Sequence, residues 1–65
     1  MSYYNPSIVM VSISKLAKED GKDWCYRNVG NIDKWDYKRS FDYRYHCFIF
    51  TDSEDAIAFK LKFGV

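Results

Sequence analysis

The segment Tyr43–Phe50 constrains this chain most, because both of its faces become apolar towards its end. Read as a strand, it places Tyr43, Tyr45, Cys47 and Ile49 on one side and Arg44, His46, Phe48 and Phe50 on the other. A strand that is apolar on both sides is covered on both, which puts it in the centre of a sheet.

Two further segments alternate as strands do. Ser7–Ser14 carries Val9, Val11 and Ile13 on one face and Ile8, Met10, Ser12 and Ser14 on the other. Pro6 cannot donate to a ladder and suits the strand's entrance. Lys34–Lys38 sets Trp35 and Tyr37 against Lys34, Asp36 and Lys38, and Arg39–Asp42 reads as a hairpin connection into Tyr43–Phe50.

The remaining segments read as helices. In the first, Gly21 marks a connection or a first turn, and Asp20 or Asp23 caps a helix carrying Trp24, Cys25 and Asn28. Gly30 then stops it in the left-handed conformation. A strand over Trp24–Val29 is the competing reading. In the second, Thr51-Asp-Ser-Glu54 fits a capping box, with the threonine oxygen and the glutamate each satisfying a free backbone N–H. Ala56, Phe59 and Phe63 form one stripe, Ile57 and Leu61 another, and Gly64 ends the helix. Phe59–Phe63 also alternates strictly, which is why a strand remains the alternative there.

The predicted order is β-α-β-β-α. A right-handed crossover makes the first two strands parallel and leaves room between them for the third, so the sheet order becomes 1-3-2. This is an α+β fold, a truncated ferredoxin-like three-stranded sheet with two helices on one face. If the two helical segments are strands instead, the chain closes into a small all-β barrel of the SH3 or Sm type.

A chain of 65 residues forms a single domain, residues 1–65, with little core to spend. Two Trp, six Tyr and five Phe compensate, each ring removing roughly 150–250 Å² from water when buried. The net charge is +1 with no basic block, which argues against a strong nonspecific hold on nucleic acid or an anionic membrane. The longest apolar run, Ile8–Val11, falls far short of a bilayer span, and Met1–Pro6 lacks the features of a secretory signal. Cys25 and Cys47 are therefore expected as thiols in a reducing compartment.

Candidate chemistry is sparse. His46 and Cys47 alternate on one strand and point to opposite faces, so no metal is expected there. A Cys25–His46 nucleophile pair is conceivable, but nothing supplies an oxyanion hole or orients the histidine. Asp33/Asp36 and Glu54/Asp55 read as turn and cap residues. No glycine-rich phosphate loop exists, no cofactor is expected, and no catalytic residue is assigned.

The closing stretch Phe48-Ile-Phe-Thr-Asp-Ser-Glu-Asp-Ala-Ile-Ala-Phe-Lys-Leu-Lys-Phe-Gly64 resembles the C-terminal end of small proteins encoded by tailed bacteriophages, especially marine ones. Trp24 to Gly30 is similar to a stretch that often precedes it. The resemblance implies a viral origin and a place in the cytoplasm of an infected bacterial host. It implies no activity and no functional residue.

With the odd-numbered face packed on the helices, the even face displays Ile8, Met10, Arg44, His46, Phe48 and Phe50 as a candidate interface. Such a patch beside an unpaired edge points to a protein interface, a homodimer first and a host protein second. Aromatics on an open sheet also suit single-stranded RNA or DNA. Against that reading, Tyr43–Phe50 lacks the glycines of the usual RNA-binding signature, and the charge is near zero.

Overall fold

The computed structural model describes residues 7–30 and 33–65. Within them the order is β1 (Ser7–Ser12), α1 (Lys18–Asn28), β2 (Trp35–Arg39), β3 (Tyr45–Phe50) and α2 (Ser53–Phe63). The three strands form one sheet in the order β1-β3-β2, and β3 is antiparallel to both neighbours. The truncated ferredoxin-like α+β arrangement is therefore present, and the barrel alternative is not. Pro6 and Met1–Pro6 lie outside the described residues, as does Asn31.

The helix α1 starts earlier than its acidic residues suggest. Its N-cap is Ala17, which offers no side-chain hydrogen bond, and Glu19 and Asp20 sit inside the first turn near the positive end of the helix dipole. Asp23 is likewise internal and pairs with Arg27, Nε to Oδ2 at 3.2 Å. Gly30 does follow the helix with a positive φ of 120°, and its N–H donates to the Cys25 carbonyl at 3.0 Å.

Of the two readings of Gly21, a connection or the first turn of a helix, the second holds: it is the fourth residue of α1. It is buried against the Phe48 ring, which a Cβ there would approach to within 2.4 Å. Packing, rather than local preference, places a glycine in this helix.

At the start of α2 the cap is Asp52 rather than Thr51. The Asp52 carboxylate accepts the Glu54 N–H at 3.1 Å, while the Thr51 hydroxyl donates to the Lys34 carbonyl at 3.1 Å. Gly64, at φ 67°, ends the helix in the left-handed conformation, with its N–H bonded to the Lys60 carbonyl at 2.8 Å.

The core is aromatic and centres on Phe59. That ring meets Trp24 at 5.6 Å, Phe48 at 4.7 Å, Phe50 at 5.5 Å and Phe63 at 4.7 Å between centroids. Val9, Val11, Leu16, Cys25, Trp35 and Ala56 complete the buried cluster. Truncating a buried Phe of this kind costs about 3–5 kcal/mol, as much as a core of this size supplies in total. The two stripes of α2 separate accordingly: Ala56 and Phe59 are buried, whereas Ile57 and Leu61 are exposed.

Candidate interaction surface

The register of the sheet decides which residues are available. Val9 stands opposite Phe48, Val11 opposite His46, Trp35 opposite Phe50 and Tyr37 opposite Phe48. Residues directly opposite one another share a face. The odd residues of β1 and β2 and the even residues of β3 therefore lie together beneath the helices. Phe48 touches Phe59 of α2, Tyr26 of α1 packs edge-on to Trp35, and Lys22 of α1 lies over Tyr37.

This corrects the expected interface, which grouped the even residues of β1 with those of β3. His46, Phe48 and Phe50 are buried on the helix side and cannot meet a partner. Arg44 is exposed but belongs to the hairpin loop before β3. Only Ile8 and Met10 lie where expected, on the open face, more than half exposed at 57% and 55%. Beside them the register sets Ile49, Cys47 and Tyr45, followed by Asp36 and Lys38 on β2. A size argument could have found this: Phe48 and Phe50 outweigh Cys47 and Ile49 as core residues.

His46 is a satisfied core histidine. Its Nδ1 and the Tyr37 hydroxyl share a hydrogen bond of 2.7 Å, and its ring packs on Phe48. Cys47, its neighbour, points to the opposite face, so the two do not converge on one ion. Cys25 is fully buried in α1; burial, with a smaller contribution from the Asp55 carboxylate, pushes its thiol up to about 12. A thiol held protonated in this way is a poor nucleophile. Neither Cys25 nor His46 lines the open groove of about 380 Å³ between α1 and the end of α2, whose walls include Asp20, Trp24, Arg27 and Lys62.

The β2–β3 hairpin carries a different surface. Its loop is stitched by Ser40, whose hydroxyl donates to Asp42 Oδ1 at 2.7 Å and accepts the Arg44 and Tyr45 N–H groups. The Ser40 hydroxyl, then the Arg44 N–H, hold the Asp42 carboxyl below its ordinary range. Tyr43 adopts φ 61°, the left-handed region, and Phe41 stands fully exposed at the tip.

The two outer edges of the sheet differ. Ser40 N–H donates to the Tyr45 carbonyl and Thr51 N–H to the Lys34 carbonyl, so the even residues of β2 bond to β3 and its odd residues point outward. The outward N–H of Tyr37 is already taken by Asp36 Oδ1 at 2.7 Å, and Lys38 and Arg39 add charge. This edge is blunted.

At β1, Ile13 N–H donates to the Arg44 carbonyl, so the odd residues face β3 and Ile8, Met10 and Ser12 direct their backbone groups outward. Ser-Ile-Val-Met-Val-Ser contains no charge and no proline, and among the described residues no strand pairs with this edge. The only bond from another element that reaches these outward groups is the Lys15 N–H on the Ser12 carbonyl, among the described residues. No protein family, curated protein or solved structure matches the chain.

Proposed function

We propose that this chain is a small non-enzymatic protein-interaction module that works by self-association, a homodimer in its simplest form. One observation carries the reading: β1 is an uncharged edge strand whose outward backbone groups, the Ser12 carbonyl aside, have no partner among the described residues, and exposed apolar side chains border it. Ile8 and Met10 flank it on the open face, and Ile57 and Leu61 lie on the neighbouring helix. A second copy of the same chain is the occupant, because a domain this small gains the core it lacks by burying its own exposed apolar surface.

The resemblance of its closing stretch to phage proteins supports a viral origin. The corresponding setting is the cytoplasm of an infected bacterium, where the assembled module engages a host protein. Single-stranded nucleic acid is the weaker reading. Phe48 and Phe50, the aromatics it would stack on bases, lie under the helices, and among the described residues of the strands Tyr45 is the one aromatic ring on the open face.

Sedimentation equilibrium or light scattering over a concentration series reaching about 1 mM tests the proposal, a range that would reveal even weak association. The mass should rise from 7.8 kDa towards twice that value. A constant monomer mass across the series would overturn it.

A further inference from the structure

We infer that two copies join edge to edge through β1, forming one continuous six-stranded sheet with the two α2 helices packed side by side above the junction. This inference rests on the self-association reading and specifies its geometry.

The backbone of β1 is suited to pairing with itself. Ile8, Met10 and Ser12 are the residues whose N–H and C=O groups point away from β3. In an antiparallel pair centred on Met10, the two Met10 residues face each other as a hydrogen-bonded pair, and Ile8 of each copy faces Ser12 of the second copy. This centre pairs all three outward positions of β1, the Ser12 carbonyl then accepting from Lys15 and from Ile8 of the second copy. A two-fold axis normal to the sheet generates the arrangement and keeps the helices of both copies on the same face.

The position of α2 supplies an independent argument. This helix packs on β1 and β3. Its α1-facing side is marked by Asp55, which acts on Cys25, and by Phe63, whose ring meets Trp24 at 6.3 Å. At about 100° per residue, Ile57 falls on the opposite flank, towards the free edge of β1, with Leu61 above it. Ile57 is 56% and Leu61 80% exposed. On the flank that would meet its copy Ile57 is apolar and Ser53 and Gly64 permit close approach, while Lys60, exposed between Ala56 and Ile57, runs its apolar stem along this flank and carries its ammonium out to solvent.

The spacings agree. Strands lie about 4.8 Å apart, and a helix seated over the β1–β3 boundary is offset from β1 by about half that distance. Two such helices across a β1–β1 junction stand about 9–10 Å apart, within the range of packed helices. Across the same junction the two Met10 side chains lie side by side on the open face, each covering part of the other's exposed apolar surface.

The test uses the full chain. Met10→Cys, in a Cys47→Ser background, places two thiols at a hydrogen-bonded pair with Cα atoms about 5.5 Å apart, inside the range a disulfide spans. With oxidised glutathione as the electron acceptor, the two thiols should lose their protons and join as an intermolecular disulfide. Ile8→Cys alone should cross-link poorly but should pair with Ser12→Cys in a mixture of the two variants.

Met10→Pro removes only an outward N–H, so the β1–β3 ladder stays intact while dimerisation is lost. Ile57→Glu should weaken the dimer by about 10–100-fold, because a buried apolar contact is replaced by a charge near its own copy. A dimer that persists in Met10→Pro and Ile57→Glu, with no Met10→Cys cross-link, would overturn the edge arrangement while leaving self-association standing. An unmodified chain that stays monomeric throughout would remove both.

Discussion

Gly21→Ala is the sharpest probe of how α1 sits on the sheet. In an exposed helix interior the substitution stabilises by about 1 kcal/mol, since alanine loses less backbone freedom on folding than glycine. Here the new Cβ would lie 2.4 Å from Phe48 Cζ and 3.0 Å from Cε1. Restoring carbon–carbon contact moves the ring or the helix by about 1 Å. The ring has little freedom, being fully buried with Phe59 at 4.7 Å and Tyr37 at 5.3 Å.

Overpacking of this kind costs about 1–3 kcal/mol, and at so short a distance the upper end applies. The net expectation is a loss of about 1–2 kcal/mol, or about 4–16 °C in Tm for a domain of this size. Urea and thermal unfolding followed by far-ultraviolet circular dichroism measure it directly. Phe48→Leu shortens the opposing side chain and destabilises by itself. In that background Gly21→Ala should become neutral or stabilising, a coupling of opposite sign to the single change. Equal or greater stability of Gly21→Ala in the unaltered chain would refute the packing of α1 against Phe48.

Other consequences follow from the same core and its polar contacts. The Cys25 thiol, pushed up from 9.0 to about 12, stays protonated in the folded state while the unfolded chain ionises. Its contribution is therefore complete below pH 9 and lost as the pH rises from there towards 12, by on the order of 1.4 kcal/mol per pH unit. Cys25→Ala should flatten that part of the stability profile in denaturant titrations. A thiol reagent should modify Cys47 in the native protein and Cys25 only on unfolding, judged by mass spectrometry after a timed pulse. Tyr37→Phe strips His46 of its hydrogen-bond partner and should cost about 1–3 kcal/mol in urea unfolding. Asp52→Ala should destabilise by about 1 kcal/mol through the lost cap of α2, more than a Glu54 substitution, whose side chain makes no capping bond among the described residues.

Element order and sheet order were legible in the residues. Alternation around Val9–Val11, Trp35–Tyr37 and Tyr45–Phe50 marks strands, Gly64 marks a helix end, and a crossover connection leaves only the central place for the third strand. These are properties of local periodicity and chain connectivity, so one chain read alone contains them. Local pattern was less sure where partners compete. Asp52 rather than Thr51 caps α2 because the Thr51 hydroxyl is drawn to the Lys34 carbonyl across the sheet. That the first turn of α1 carries a glycine at position 21 follows from Phe48, which occupies the space a side chain would need.

The faces of the strands were a matter for the tertiary structure. Alternation divides each strand into two sets, but it does not say which set of one strand joins which set of the next. Here Val9 meets Phe48 and Trp35 meets Phe50, so odd residues of the outer strands share a face with even residues of the centre. A register one residue different would exchange them, with every side chain of β3 changing sides. That single choice buries His46, Phe48 and Phe50 and leaves Ile8 and Met10 outside. The segment Tyr43–Phe50 contains a central strand whatever the register. Which of its side chains a partner can reach depends on hydrogen bonds made to strands more than thirty residues away on one side and across a five-residue hairpin on the other.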